Sequence, residues 1–361
     1  MPEIERLLNH GPPKSSYIKY NKNALFSYSS ENADTFQHGY LGIGPSSVSG
    51  SLHLRYSDKS PLIANSIELV FIGDEFITYQ LESDNRWLST TRSQKFAEYT
   101  YCLWESKESQ SITNLDLRFN IQLEDDLPGS FICILPESGK IEYIIQARVK
   151  MNNNHPEIIT SARCHLTRWS LPFTKMLNEP IKMKRPDYNK SNNKSYIDDI
   201  LFEGLLDKFW YEMGSEISVQ LNLKLPRKDI AIKNIKMRIH EFQSFVNPTN
   251  GLNEILAMNK LRALSCKING VNISTFYRPE EDIYALMIGT NVPPLANNQM
   301  TPELIGTKIM QFIQIWHRLR IKVNFRDNKQ LILQTEIGIR NCLSSKEIQN
   351  GRHNGTIYPE S

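Results

Sequence analysis

The 361-residue chain is short of cysteine, of long hydrophobic runs and of any large excess of one charge. Its five cysteines are widely scattered, so neither a disulfide framework nor a Cys-x-x-Cys metal site can be drawn from them. The longest predominantly apolar runs, such as 67–72 and 131–135, are far shorter than the roughly 18 residues of a membrane span. The acidic start Met1–Glu5 lacks the pattern of a signal peptide. We therefore expect a cytoplasmic protein that does not span a membrane.

The net charge is +3, from 42 basic and 39 acidic residues, an imbalance too small for a dedicated nucleic-acid binder. The charge is nevertheless unevenly distributed. Residues 1–172 carry 16 basic and 20 acidic side chains, whereas residues 173–196 carry 6 and 2. Residues 197–343 carry 18 basic and 15 acidic side chains. With this length and a hydrophobic content of 40%, the sequence is typical of a globular protein with two domains, one acidic and one basic.

Strict alternation of apolar and polar residues indicates the fold class, because it places alternate side chains on a buried sheet face. The clearest example is 115–124, where five apolar residues alternate with polar ones. Turn signals such as 125–129 separate these segments at spacings typical of a β-sandwich. We therefore predict an all-β protein of two tandem immunoglobulin-like antiparallel β-sandwich domains. The other predicted strands lie at 52–56, 141–149, 217–225, 235–239 and 319–325.

The segment 173–196 has no apolar period, contains five lysines and one arginine, and is predicted to be a basic linker. Only 252–264 has a helical phase, from which we expect a short helix packed on a sheet. The predicted organisation is an N-terminal segment at 1–24, sandwich domains at 25–172 and 197–343 joined by that linker, and a flexible tail at 344–361.

Candidates for catalysis are weak. Acidic residues cluster at 74–75, 125–126, 198–199 and 280–282, and we expect them to lie in solvated turns. The segment Gly39–Gly44 lacks the lysine and Ser/Thr that follow in a phosphate-binding loop. The eight histidines show no paired spacing of metal ligands. We therefore expect no catalytic residues, no cofactor and no metal.

Basic residues give the stronger signal, because on two predicted strands they alternate with core-type residues. Such cations suit acidic or phosphorylated segments of partner proteins, or anionic lipid head groups. The alternative is that they only keep a sheet face solvated, and binding requires that they converge on one surface. His240 continues one of the two stripes. The predicted binding residues are Arg318, Arg320, Lys322 and Arg326, then Lys236 and Arg238, and in the linker Lys182, Lys184 and Arg185.

Several short motifs resemble the arrestin family. The order Leu123, Leu127-Pro128 and Ser130-Phe131, followed by Gly-Lys-Ile-Glu-Tyr at 139–143, looks like the signature of the arrestin amino-terminal domain. The resemblance covers about 25–340 and is strongest over 50–171. Further similar segments are 49–54 and 66–73 in the first half and 217–226, 235–241, 319–325 and 331–339 in the second.

This resemblance implies two arrestin-like domains in a non-enzymatic adaptor or scaffold. Such a protein binds cytoplasmic tails of membrane proteins in endocytosis, protein transport or signal transduction, with recruitment to the plasma membrane or endosomes. Fungal-type alpha-arrestins recruit a ubiquitin ligase through Pro-Pro-x-Tyr motifs, and neither Pro12-Pro13 nor Pro293-Pro294 continues in that way. Two alternatives stay open: a retromer-subunit-like structural module of a trafficking complex, and a β-sandwich hydrolase with two carboxylates converging in one pocket.

Overall fold

The described residues of the structure, a computed structural model, are mostly β-strand with almost no helix and form antiparallel sheets, which confirms the all-β fold class. Within the described ranges, no helix has the length and apolar character needed to cross a membrane. The described residues are 21–28, 35–83, 86–133, 138–151, 155–172, 180–186, 199–227, 230–247, 254–269, 274–293, 312–343 and 345–353.

Two sheets are formed by the first half of the chain. Sheet 1 has the order β1-β3-β2, with β6 also paired to β3, and sheet 2 has the order β5-β4-β8-β7, with β9 also paired to β8. Sheet 1 contains β1 (Ala24–Tyr28), β2 (Gln37–Gly39), β3 (Ser46–Arg55) and β6 (Asn114–Gln122). Sheet 2 contains β4 (Leu62–Ser83), β5 (Arg86–Ile112), β7 (Phe131–Cys133), β8 (Ser138–Lys150) and β9 (Glu157–Cys164).

Two further sheets are formed by the second half. Sheet 3 has the order β10-β11-β13-β17-β16, and sheet 4 has the order β12-β19-β18-β14-β15, in which β12 runs parallel to β19. Sheet 3 contains β10 (Ile181–Lys182), β11 (Leu201–Leu206), β13 (Glu216–Lys224), β16 (Tyr277–Arg278) and β17 (Ile283–Asn291). Sheet 4 contains β12 (Trp210–Glu212), β14 (Ile232–Asn247), β15 (Glu254–Asn269), β18 (Ile313–Phe325) and β19 (Gln330–Arg340).

The core of the second half shows why these segments form strands. Alternate residues of β13, such as Val219 and Leu221, are fully buried in the same cluster as Ile239 of β14 and Leu319 and Ile321 of β18. Full burial of one such aliphatic side chain contributes about 1.5–3 kcal/mol. Because the period of burial is two, each of these strands directs its intervening residues outward.

The two halves are packed against each other. Phe245, at the far end of β14, and Ile313, at the start of β18, belong to the same buried cluster as Ile77 and Ile141 of sheet 2. Gly139 of β8 lies at this contact, where an added Cβ would come within 2.5 Å of the Phe245 ring. Sheets 2 and 4 therefore share a hydrophobic core where they meet.

The helix predicted at 252–264 is wrong, because 254–264 belongs to β15, which pairs with β14 along its length. The register of this pair shifts twice, between Ile239 and His240 and between Phe245 and Val246, so that Ala263 and Leu256 are extra residues on β15. A bulge reverses the phase of a strand's alternation. Two bulges within one segment produce mixed apolar spacings, which resemble a helical period.

The carboxy-terminal tail at 344–361, predicted to be flexible, contains a helix, α1 (Ser345–His353). Its Ile348 packs against a small cluster formed by Ile43 and Leu343. Next to it, Ser170 N–H donates to Asn341 O at 2.8 Å, and Asn341 Nδ2 donates to Arg168 O at 3.1 Å. The chain after β19 is thus attached to the first half by hydrogen bonds as well as by apolar contact.

Candidate functional site

The two predicted basic stripes lie side by side on the outer face of sheet 4. In the antiparallel pair of β14 and β18, Lys236 is directly opposite Lys322 and Arg238 is directly opposite Arg320. Directly opposite residues project from the same face with Cβ atoms about 4.5–5.5 Å apart. These four residues, which are all partly exposed, are called the basic face below.

The buried neighbours of these cations explain why they point outward. Met237 and Ile239 on β14, and Ile321 and Val323 on β18, are buried in the core between sheets 3 and 4. Since successive side chains of a strand point to opposite faces, burying these residues directs the intervening lysines and arginines to the outer face.

Electrostatic repulsion within the basic face affects Lys322 directly. Burial of the Lys322 ammonium lowers its pKa, and the nearby charges of Arg238, Arg320 and Lys236 lower it further. In the part of the chain that the structure describes, neither Lys236 nor Lys322 forms an ion pair. Like charges placed directly opposite each other destabilise a sheet. The arrangement therefore weakens the fold slightly, and an anion bound between the strands would relieve the repulsion.

This repulsion predicts that Lys322→Gln raises the free energy of unfolding by about 0.2–1 kcal/mol, because it removes one member of a like-charged pair. The gain should shrink in high salt, which screens exposed charges. Chemical denaturation at low and high salt measures both effects. Lys224→Gln is the control, because Lys224 on β13 is exposed and lies opposite Leu201, and it should change stability little. Equal effects of the two substitutions at low salt would contradict this account.

Along β14, β18 and β19, the rows of opposite residues on either side of the basic face are neutral or contain an ion pair. Beyond Lys236 and Lys322, Asn324 Nδ2 donates to Asn234 Oδ1 at 2.7 Å. At the other end, Arg318 lies opposite His240 on β14 and opposite Glu336 on β19, whose carboxylate it contacts at 3.3 Å. The basic face thus consists of two successive rows of paired cations on β14 and β18. A neutral row lies on one side of it, and a row containing an ion pair lies on the other.

The predicted cations of the linker do not all lie next to the basic face. Lys184 and Gln334 of β19 exchange backbone hydrogen bonds of 3.0 and 2.8 Å, and Gln334 lies opposite Arg320, so Lys184 extends the arginine row. Lys182 pairs with Leu205 in sheet 3 instead. Arg185 donates to Ile200 O at 3.1 Å and its guanidinium lies 5.0 Å from the Phe202 ring centroid. Among the linker residues that the structure describes, 180–186, only Lys184 therefore lies beside the basic face.

Arg326 is exposed just after β18, where its N–H donates to Ala231 O at 3.0 Å. It lies four residues beyond Lys322, which is roughly 13 Å along a strand. At the opposite end, the alternation continues into aromatic residues, because the rings of Phe242 and Trp316 stack with centroids 5.4 Å apart. The Arg318 guanidinium lies 5.0 Å from the Phe242 centroid. This aromatic extension was missed, although Phe242 and Trp316 continue the same alternation.

The prediction that the acidic cluster at 74–75 lies in a solvated turn is wrong, because Asp74 and Glu75 lie within β4 and are 3% and 1% exposed. Burial raises the pKa of Asp74 to about 6, an effect that Lys95 opposes and Glu142 reinforces. Of the other clusters, 125–126 and 280–282 do lie in turns. The start of β18 covers Glu75, whose carboxylate accepts hydrogen bonds from the N–H groups of Phe312 and Ile313, and composition alone did not indicate this contact.

Two surface cavities in the described part of the chain bear on the hydrolase alternative. One of about 230 Å³ lies at the break between β7 and β9 and is lined by Glu142, Lys140 and Arg163 among others, whereas one of about 110 Å³ is lined by Trp210, Glu212 and others. Each of these two cavities contains one carboxylate residue, whereas the hydrolase alternative needs two in one pocket. Among the described residues, no three His, Cys, Asp or Glu side chains are grouped so that they could hold a metal ion.

No protein-family model and no curated protein matches this chain in sequence, so its function has to be inferred from the residues and geometry of the basic face and its surroundings.

Proposed function

We propose that this chain is a non-enzymatic, arrestin-like adaptor of the cytoplasm that holds acidic or phosphorylated cytoplasmic segments of membrane proteins against the basic face. In this role it would support their endocytosis, trafficking or ubiquitin-linked regulation. The observation that carries the proposal is the register of β14 and β18, which places lysine opposite lysine and arginine opposite arginine in successive rows.

The proposed architecture is two immunoglobulin-like sandwiches at 25–172 and 197–343. It is supported by the division of the four sheets, because sheets 1 and 2 use residues 24–164 and sheets 3 and 4 use residues 181–340. Within the proposed linker at 173–196, Ile181–Lys182 forms β10 and Lys184 pairs with Gln334, so this part of the linker lies along the second pair of sheets. The described part of the linker thus places one cation, Lys184, beside the basic face.

Anion binding explains the like-charged rows better than solvation of a surface does. A solvated face needs charges of either sign, and alternating signs would cost nothing. Arginine and lysine form short, charge-assisted hydrogen bonds with phosphate and carboxylate groups. A bound segment that carries such anions would replace the repulsion between the paired cations with attraction between cations and anions.

The proposal predicts that Arg238→Ala, Arg320→Ala and Lys322→Ala together weaken the capture of phosphorylated tail peptides at least about tenfold, since each lost contact is charge-assisted. Immobilised peptides with and without phosphate, and phosphatase treatment of the bound form, provide the measurement. The matched control removes three exposed cations elsewhere, with Lys107→Ala, Arg118→Ala and Lys224→Ala. If the two triple variants captured the peptides equally well, a role for the basic face would be excluded.

A further inference from the structure

The rows of the basic face have a defined spacing. Lys236 and Arg238 are two residues apart on β14, as are Arg320 and Lys322 on β18. At a rise of 3.3–3.4 Å per residue, the arginine row and the lysine row are about 6.6–6.8 Å apart. Each row spans the gap between two neighbouring strands, so an anion can contact one cation from each strand.

The two rows differ in chemistry. The Arg238 and Arg320 guanidinium groups are planar forks that bind phosphate oxygens in a bidentate way, whereas the Lys236 and Lys322 ammonium groups act as point charges. Lys184, across Gln334 from Arg320, adds a third cation to the arginine row. Each row has enough positive charge for one phosphate.

An extended peptide has the matching repeat, because its side chains i and i+2 lie on the same side and are separated by the same distance as the rows. Resting on the function proposed above, we infer that the basic face recognises an extended segment with two phosphorylated residues at i and i+2. One phosphate lies between Arg238 and Arg320, and the other lies between Lys236 and Lys322.

The neighbouring rows of β14, β18 and β19 limit the number of phosphates to two. On the lysine side, Asn234 and Asn324 form a neutral row, hydrogen-bonded to each other. On the arginine side, a third phosphate would approach Glu336, whose side chain is 64% exposed and pairs with Arg318. The same boundaries favour a peptide over a lipid surface, since a membrane engages a wide area of projecting cations and would bring its anions against Glu336 as well.

The test compares short synthetic peptides of one sequence and equal charge, with two phosphoserines at i and i+1, i and i+2, or i and i+3. Fluorescence anisotropy with the full chain should show that the i, i+2 peptide binds about tenfold more tightly than the other two, because only it reaches both rows. Lys236→Ala with Lys322→Ala should reduce its affinity to that of a singly phosphorylated peptide. Lys107→Ala with Lys224→Ala is the matched control and should retain the preference.

A third phosphate at the next alternate position should add no affinity, and Glu336→Gln should make it favourable. Equal affinities for all three doubly phosphorylated peptides would overturn the spacing inference while leaving the proposed function standing. Failure of every phosphopeptide to bind would overturn the function itself. Binding to phosphatidylserine vesicles in place of the peptides, lost in the Lys236→Ala and Lys322→Ala variant, would assign the face to a membrane and overturn the inference.

Discussion

Replacing Glu75 with alanine is expected to lower the free energy of unfolding by about 2–4 kcal/mol. The Glu75 carboxylate is 1% exposed, and its Oε1 accepts hydrogen bonds from the N–H groups of Phe312 at 3.1 Å and Ile313 at 2.8 Å. These donors begin β18 where it packs on sheet 2. Alanine would leave both buried N–H groups without this acceptor, at the contact between the two halves of the chain.

Unfolding in guanidinium chloride, followed by circular dichroism, measures this loss. Glu75→Gln should lose less stability than Glu75→Ala, because an amide oxygen can still accept both hydrogen bonds. Glu105→Ala is the control, because Glu105 is an exposed residue of β5 and its replacement should change stability by no more than about 0.5 kcal/mol. If Glu75→Ala unfolded at the same denaturant concentration as Glu105→Ala, the carboxylate would not hold the halves together.

Asp74 and Glu142 are directly opposite each other on β4 and β8. Removing the charge of one or of the other is expected to change the free energy of unfolding in opposite directions. Glu142 contacts Lys140 Nζ at 2.9 Å and Arg163 Nε at 3.6 Å, and the Lys140 side chain is only 4% exposed. Glu142→Gln leaves a buried ammonium without its carboxylate and should cost about 2–3 kcal/mol at neutral pH. Asp74→Asn should instead stabilise the protein by about 1 kcal/mol, since a neutral amide avoids the burial of charge that raises the Asp74 pKa.

The stabilisation by Asp74→Asn depends on pH in a defined direction. The pKa of Asp74 is raised from 3.8 to about 6 by burial, which Glu142 and Glu98 reinforce and Lys95 and Lys140 oppose. Between these two pKa values the folded chain binds more protons than the unfolded chain, so stability falls as pH rises through about 6. Asp74 therefore lowers the free energy of unfolding at pH 7, where its carboxyl is ionised in the folded chain, and not at pH 4, where the carboxyl is protonated.

Denaturation of the wild type and of Asp74→Asn across pH 4–7 checks this expectation. The two proteins should be nearly equal in stability at the acid end, and the variant should be more stable above about pH 6. Glu98→Gln is a useful comparison, because Glu98 is partly exposed and pairs with Lys95 at 2.7 Å. A variant that was less stable than the wild type at pH 7 would show that the Asp74 carboxylate is paired favourably.

Much of the fold is readable in the sequence wherever a strand has one buried and one solvated face. The alternation in 115–124 and 217–225 corresponds closely to β6 (Asn114–Gln122) and β13 (Glu216–Lys224). Strands that are buried on both faces, or interrupted by bulges, do not show that period. For this reason β15 was predicted as a helix, and the buried position of Asp74 and Glu75 on β4 was not foreseen.

For the candidate site, local sequence established which residues point outward on each strand, because the alternation of a strand depends only on its own apolar positions. Nothing local relates β14 to β18, which are separated by 65 residues between Asn247 and Ile313. Only tertiary pairing brings Arg238 opposite Arg320 and adds Lys184 through β19, while Lys182 and Arg185 turn elsewhere. Strand register is set by the packing of the whole sheet, and this is why the basic face emerges only in the folded molecule.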